Sequence, residues 1–181
     1  MFQLKKLFAK AALMVGLIGA APAMALPIVG GQIYSTGGDV IVTVLPSDAG
    51  YTSEIWLFEP GTDTYIATNR LFDFGTEVNL GFYASGVELV FGIYVRNTGK
   101  TFYTGPGSRN PDQLAHAKVD AAAGETTVGF EDLFGGGDFD FNDAVFSFII
   151  VPPTRIAEIP EPGTLALLGV AMAGLALRRR R

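Results

Sequence analysis

Between residues 26 and 159 no stretch of this chain sustains a helical period, and that removes helical and mixed folds from consideration. Short runs rich in Val, Ile, Thr, Tyr and Phe recur instead, each stopped by Gly, Pro, Asn, Asp or Ser. Residues 39–45 have a strand pattern ended by Pro46-Ser47-Asp48-Ala49-Gly50. Residues 53–58 follow, ended by Glu59-Pro60-Gly61-Thr62-Asp63, and 64–68 return as the hairpin partner. Residues 77–83 alternate Val78, Leu80 and Phe82 with polar or small residues, and Ala84-Ser85-Gly86 is a turn tight enough to pair them with 87–95. Residues 101–104, 116–120, 126–130 and 144–151 complete the set. Strands this short and this evenly spaced predict an all-β domain over residues 26–155, an antiparallel two-sheet β-sandwich of jelly-roll type. A domain of about 130 residues buries about two thirds of its unfolded surface in one core.

The two ends have a different character. Lys5, Lys6 and Lys10 precede an apolar run over residues 11–21 and the small-x-small site Ala23-Met24-Ala25. This is the pattern of a secretory signal peptide over residues 1–25, a short helix cut by signal peptidase after Ala25. A membrane anchor would need about 20 apolar residues, more than this run supplies. The chain has no cysteine, so outside the cell it must be held by its core or by ions rather than by disulfides.

At the other end a linker over residues 156–163 contains Pro160-Glu161-Pro162, stiff, extended and open to an enzyme. A short apolar helix over residues 164–177 follows, and residues 178–181 are all arginine. Thirteen apolar residues, 165–177, rise only about 20 Å as a helix against a hydrocarbon core of about 30 Å. Such a transmembrane helix is a weak permanent anchor and a serviceable temporary one, with the arginines cytoplasmic and the domain exported. The Pro-Glu-Pro, the short helix and the basic cluster together resemble the PEP-CTERM sorting signal of Gram-negative bacteria. The resemblance implies recognition by a membrane exosortase, removal of the tail near Pro160 to Pro162, and delivery to the outer surface or extracellular matrix, commonly in species that make exopolysaccharide. A plain single-pass tail anchor is the other reading of the same residues.

From residue 26 to 159 six basic residues stand against seventeen acidic ones, a net charge of −11. Nucleic acid and anionic lipid are poor partners for such a segment, and cations are good ones. The acids gather in one loop. Between Glu131 and Asp143 there are five carboxylates and one amide with no Lys or Arg, so mutual repulsion calls for a cation or a strongly hydrated loop. Calcium takes six to eight oxygens and favours carboxylates on a sharply turning backbone. Asp138, Asp140 and Asn142 alternate, so they can aim at one centre while Phe139 and Phe141 point back into the core. Gly135-Gly136-Gly137 permit the positive φ angles of a wrapped loop. Asp143 enters at the start of the last strand, and Glu131 and Asp132 can close the shell, making all six candidate ligands for Ca2+. The competing reading is a solvated acidic turn capping a hairpin. An EF-hand is excluded, since its sixth and twelfth positions fall on Asp143 and Ile149 rather than Gly and Glu.

Other motif-like strings lack their context. Gly99-Lys100-Thr101 has Tyr94 where a phosphate loop needs glycine, and Asp73-Phe74-Gly75 stands without the remaining kinase parts. His116 is the sole histidine and lies in a strand pattern, which favours a satisfied structural imidazole over a ligand or a base. Trp56, with Tyr51, Phe58 and Tyr65, is expected in the core, with a sugar platform as the alternative.

Gly129-Phe130-Glu131-Asp132 followed by Gly136-Gly137-Asp138-Phe139-Asp140-Phe141-Asn142-Asp143 and a Val-Phe strand is similar to the C-terminal signature of an uncharacterised secreted bacterial β-domain, often joined to PEP-CTERM tails. That resemblance implies an extracellular calcium-binding sandwich and supplies no activity. Three functional readings follow. The first is a non-enzymatic exported surface or matrix module stabilised by calcium. The second is a carbohydrate-binding module in which calcium bridges the loop to an exopolysaccharide. The third, a glycosidase working through Glu131 and Asp140, ranks last because its acids crowd into one loop.

Overall fold

Strand and turn follow the punctuation of the chain. The computed structural model describes residues 26–59 and 62–154. The signal peptide with Ala23 and Ala25, the sorting residues Pro160, Glu161 and Pro162, the membrane helix and the arginine tail lie outside the described residues. Among the described residues no helix is long and apolar enough to cross a membrane.

The strands are β1 (Ile28–Val29), β2 (Gly38–Val44), β3 (Ser53–Phe58), β4 (Thr64–Thr68), β5 (Glu77–Tyr83), β6 (Val90–Val95), β7 (Lys100–Tyr103), β8 (Ala117–Ala122), β9 (Glu125–Phe130) and β10 (Ala144–Val151). They form a six-stranded sheet in the order β1-β8-β9-β10-β2-β5 and a four-stranded sheet in the order β4-β3-β6-β7, antiparallel throughout. This is the two-sheet antiparallel sandwich that the sequence predicts.

Strict alternation sends every second side chain to the space between the sheets. Val40, Val42 and Val44 enter it from β2, Ile55 and Leu57 from β3, and Phe91, Ile93 and Val95 from β6. Phe91 ties the two layers together, its ring 4.9 Å from that of Phe146 and 5.4 Å from that of Phe148 on β10. Burying each such ring contributes about 2–3 kcal/mol.

Two expectations are corrected. Residues 77–83 and 87–95 are not a hairpin: β5 pairs with β2, whereas β6 lies between β3 and β7 in the other sheet. The turn at 84–86 is a crossover, because residues 33–35 take its backbone bonds. Gly86 donates to the Ser35 carbonyl at 2.8 Å, Ser35 to that of Val87 at 2.8 Å and Leu89 to that of Ile33 at 2.9 Å. The alternation in β5 also slips. Asn79 Oδ1 accepts from the Gly81 N–H at 2.8 Å, Gly81 takes φ +87°, and the register with β2 shifts between Val40 and Ile41. Beyond that bulge Tyr83 packs on the core and Phe82 is 61% exposed.

Candidate metal centre

Residues 131–143 connect the paired strands β9 and β10, whose register ends at Phe130 opposite Ala144. The mouth is closed by backbone. Asp143 donates to the Phe130 carbonyl at 3.0 Å, and Glu131 donates to the His116 carbonyl at 2.9 Å. Inside, two turns run in succession, Gly136 donating to the Leu133 carbonyl and Phe139 to that of Gly136.

These turns require the glycines. Gly135, Gly136 and Gly137 all have positive φ, and a Cβ on Gly137 would collide with Glu131 Oε2. Phe139 and Phe141 follow at φ +60° and +61°, a left-handed conformation that costs a bulky side chain on the order of 1–3 kcal/mol each. That conformation recurs at every second residue, flanking Asp140 on both sides. Phe141 is buried as expected. Phe139 is not: it is 53% exposed, its ring folded over Gly136. Gly129 on β9 lets the loop backbone come close, since a side chain there would strike the Phe141 carbonyl.

Carboxylate oxygens of Glu131, Asp138 and Asp140 all lie within 4.8 Å of one another. This group can hold a metal ion. Glu131 is buried, and its Oε1 accepts from the Phe141 N–H at 2.8 Å, while Asp138 and Asp140 are exposed above it. Burial pushes the Glu131 carboxyl up from its ordinary range; the Phe141 N–H opposes this, and Asp143, Asp138 and Asp140 add to it. Asn142 stands beside the group, its backbone N–H on Asp140 Oδ1 at 3.2 Å and its side-chain amide donating to Asp140 Oδ2.

Asp132 and Asp143 are adjacent but face another way. The Asp132 N–H donates to Asp143 Oδ2 at 3.0 Å, and Asp132 Oδ2 accepts from the Ser53 hydroxyl at 3.2 Å. Asp132 is 2% exposed, and burial together with Asp143 lifts its carboxyl to about 6, against the pull of Ser53 and Arg70. Burial likewise raises Asp143, with Asp140, Asp138 and Asp48 adding to the rise and the Asp132 N–H opposing it. Of the six sequence-predicted ligands, then, Glu131, Asp138 and Asp140 converge, Asn142 flanks them, and the buried Asp132 is paired with the half-buried Asp143 outside the group.

Several supports carry no sequence signal, being distant in the chain. Asn69 accepts the Ser53 N–H at 2.9 Å and donates to the carbonyls of Tyr51 and Asp143 at 3.1 and 2.8 Å, tying the loop to β3. Asp112 Oδ2 accepts from the Gly135 N–H at 2.8 Å and lies 2.8 Å from His116 Nε2, while His116 Nδ1 lies 2.9 Å from the Glu131 carbonyl oxygen. His116 is therefore a satisfied, fully buried imidazole, stacked at 3.7 Å on Phe102. Lys118 on β8 supplies the base that the loop lacks, its Nζ donating to the Asp140 carbonyl at 3.3 Å and lying 5.3 Å from the Phe141 ring.

A family profile described as a domain of unknown function, DUF4114, matches residues 49–150. The chain belongs to the DUF4114 family. The DUF4114 match takes in β3 to β9, the acidic loop and all but the last residue of β10. A second profile, the PEP-CTERM protein-sorting motif, matches residues 158–181. The motif implies an exported DUF4114 protein, held in the membrane before exosortase processes it. No curated protein and no solved structure matches the chain.

Proposed function

We propose that this protein is a non-enzymatic module displayed at the cell surface or in the extracellular matrix, whose sandwich is stabilised by calcium bound in the loop at 131–143. The observation that carries the reading is the convergence of Glu131, Asp138 and Asp140 within 4.8 Å. Three carboxylates on one focus fit a hard cation that takes oxygen ligands. Asp138 and Asp140 face solvent, so waters complete the shell. A glycosidase instead needs its two acids on opposite sides of a sugar bond, whereas these three belong to one loop.

Calcium matters here because the metal-free loop is self-repelling. Burial and like charge both penalise ionised Glu131, and a divalent ion reverses that penalty. An ion at tenfold excess over its dissociation constant adds about 1.4 kcal/mol, a useful share of a small domain's stability. The test is a thermal melt of the exported protein with calcium and with chelator. Chelation is expected to lower Tm, and the D138A/D140A double mutant to lose the difference; identical melts in both conditions would remove calcium from the account.

A further inference from the structure

The outer face of the four-stranded sheet is aromatic and uncovered. Core packing takes Ile55 and Leu57 from β3, so its intervening residues Glu54, Trp56 and Phe58 project away from the core. Trp56 is thus on the outer face, a correction to its expected place in the core. In register with it across the sheet lie Tyr65 on β4, Gly92 on β6 and Tyr103 on β7. The rings form two pairs, the second spanning Gly92. Trp56 and Tyr65 meet edge to face at 5.3 Å, and Phe58 and Tyr103 do the same at 4.8 Å. Phe58 lies down over Gly92, where a Cβ would meet its ring.

A groove of about 290 Å³ runs along this face, lined by Glu54, Trp56, Phe58, Asp63, Tyr94 and Thr101. Its polar groups are arranged with a pattern. Glu54 is committed within the protein: Oε2 accepts the Trp56 indole N–H at 3.0 Å, and Oε1 pairs with Arg96 Nε at 2.6 Å. The indole donor is thereby used up, which leaves the ring itself to a ligand. Asp63, Thr101 and the Tyr94 phenol stand at the rim, and Tyr65 and Tyr94 are 45% and 38% exposed.

An apolar aromatic floor with hydroxyl and carboxylate groups at its edge is complementary to a pyranose, whose C–H faces are apolar and whose rim is hydroxyl. With Glu54 matched by Arg96, Asp63 leaves this groove one net negative charge, which disfavours nucleic acid, acidic glycans and anionic lipid. Four strands span about 14 Å between the outer two, a length that takes several linked sugars rather than one. We propose that this sheet face binds a neutral polysaccharide, with Trp56 and Tyr94 stacking on sugar rings and Asp63 and Thr101 hydrogen-bonding their hydroxyls. The site is separate from the acidic loop and does not use its metal.

The chain has one tryptophan, so its fluorescence reports this face directly. The exported protein would be titrated with soluble β-glucan, mannan and dextran, and with alginate as the acidic control, while retention is followed in native gels cast with each polymer. Expected are retention by at least one neutral polymer, a change in Trp56 emission at the same concentrations, and no retention by alginate. Trp56→Ala weakens binding at least about tenfold. Should W56A fail to fold, D63N and T101V at the rim each weaken it severalfold with Tm unchanged. All of this persists in chelator below the melting temperature of the metal-free protein, so the sheet site and the calcium reading fail separately. Absence of retention by every neutral polymer overturns the proposal. So do preference for alginate, loss on chelation with the fold intact, normal binding by the rim variants, or a concentration-dependent dimer that buries Trp56.

Discussion

Gly137 lies directly against the Glu131 carboxylate, so close that any Cβ would strike Oε2. Glycine there also holds φ +52°, a conformation that L side chains adopt only with strain. Gly137→Ala is therefore expected to cost about 1–3 kcal/mol and to push the one buried acid of the group off its focus. Melts should show a lower Tm without metal and a smaller calcium-induced rise. An alanine variant with a full calcium response would mean that Glu131 is not a ligand.

The buried acids set a pH dependence whose sign is opposite to that of an ordinary salt-bridged carboxylate. Asp132 titrates at about 6 in the fold against 3.8 ordinarily, and Glu131 and Asp143 are raised as well, in each case first by burial. Between those two values the folded state keeps protons that the unfolded chain has released, so stability falls as pH rises through the window and stays lower above it. Asp112 runs the other way. Burial, the largest influence on it, raises its carboxyl, but the Gly135 and Leu114 N–H groups and His116 together hold it below 3.8, so its contribution is lost only under stronger acid. A chelated sample should melt several degrees lower at about pH 7 than at about pH 4.5, and calcium should reverse the slope because the metal requires ionised ligands. Scanning calorimetry at both pH values, with and without calcium, reads the crossing.

Asp112 is a support that no motif announces. Removing its carboxylate in Asp112→Ala gives up the hydrogen bonds from the exposed Gly135 and Leu114 N–H groups and leaves the buried His116 Nε2 without its partner. A loss of about 3 kcal/mol is expected, or roughly 10 °C in Tm, with Asp112→Asn recovering part of it. Denaturant titration measures this directly, and a loss below about 0.5 kcal/mol would mean that the hydrogen bonds are not formed in solution.

What could be read from residues alone was what is local. The strand punctuation, the hairpin of β3 with β4, and the glycine-acid loop all depend on neighbours within a few positions, where turn chemistry and period-two patterning act. The hidden part depends on long-range partners. A turn such as Ala84-Ser85-Gly86 serves a hairpin or a crossover equally, and the choice was made by residues 33–35, about fifty positions earlier. Likewise Asp138, Asp140 and Glu131 are legible as acids on a glycine bend, but the Ser53, Asn69 and Asp112 contacts that fix the loop come from other strands and loops. Trp56 departs from its expected place in the core for a related reason: both faces of β3 carry apolar residues, so composition cannot say which one is covered.

The bulge in β5 provides a test of register at two adjacent aromatics. Plain alternation after Val78 and Leu80 puts Phe82 in the core and Tyr83 outside, whereas the Asn79–Gly81 bond reverses them, with Tyr83 against the core and Phe82 in solvent. Truncating a packed aromatic costs about 2–4 kcal/mol, and trimming an exposed one stays within about 0.5 kcal/mol. Tyr83→Ala should therefore be the damaging change and Phe82→Ser nearly silent in chemical denaturation. Gly81→Ala belongs in the same series, because φ +87° is strained for alanine although nothing crowds its Cβ. That variant should lose about 1 kcal/mol through the backbone alone. If Phe82→Ser proved the costlier of the two aromatic changes, the strand would be running in the unbulged register and the edge of the six-stranded sheet would need to be redrawn.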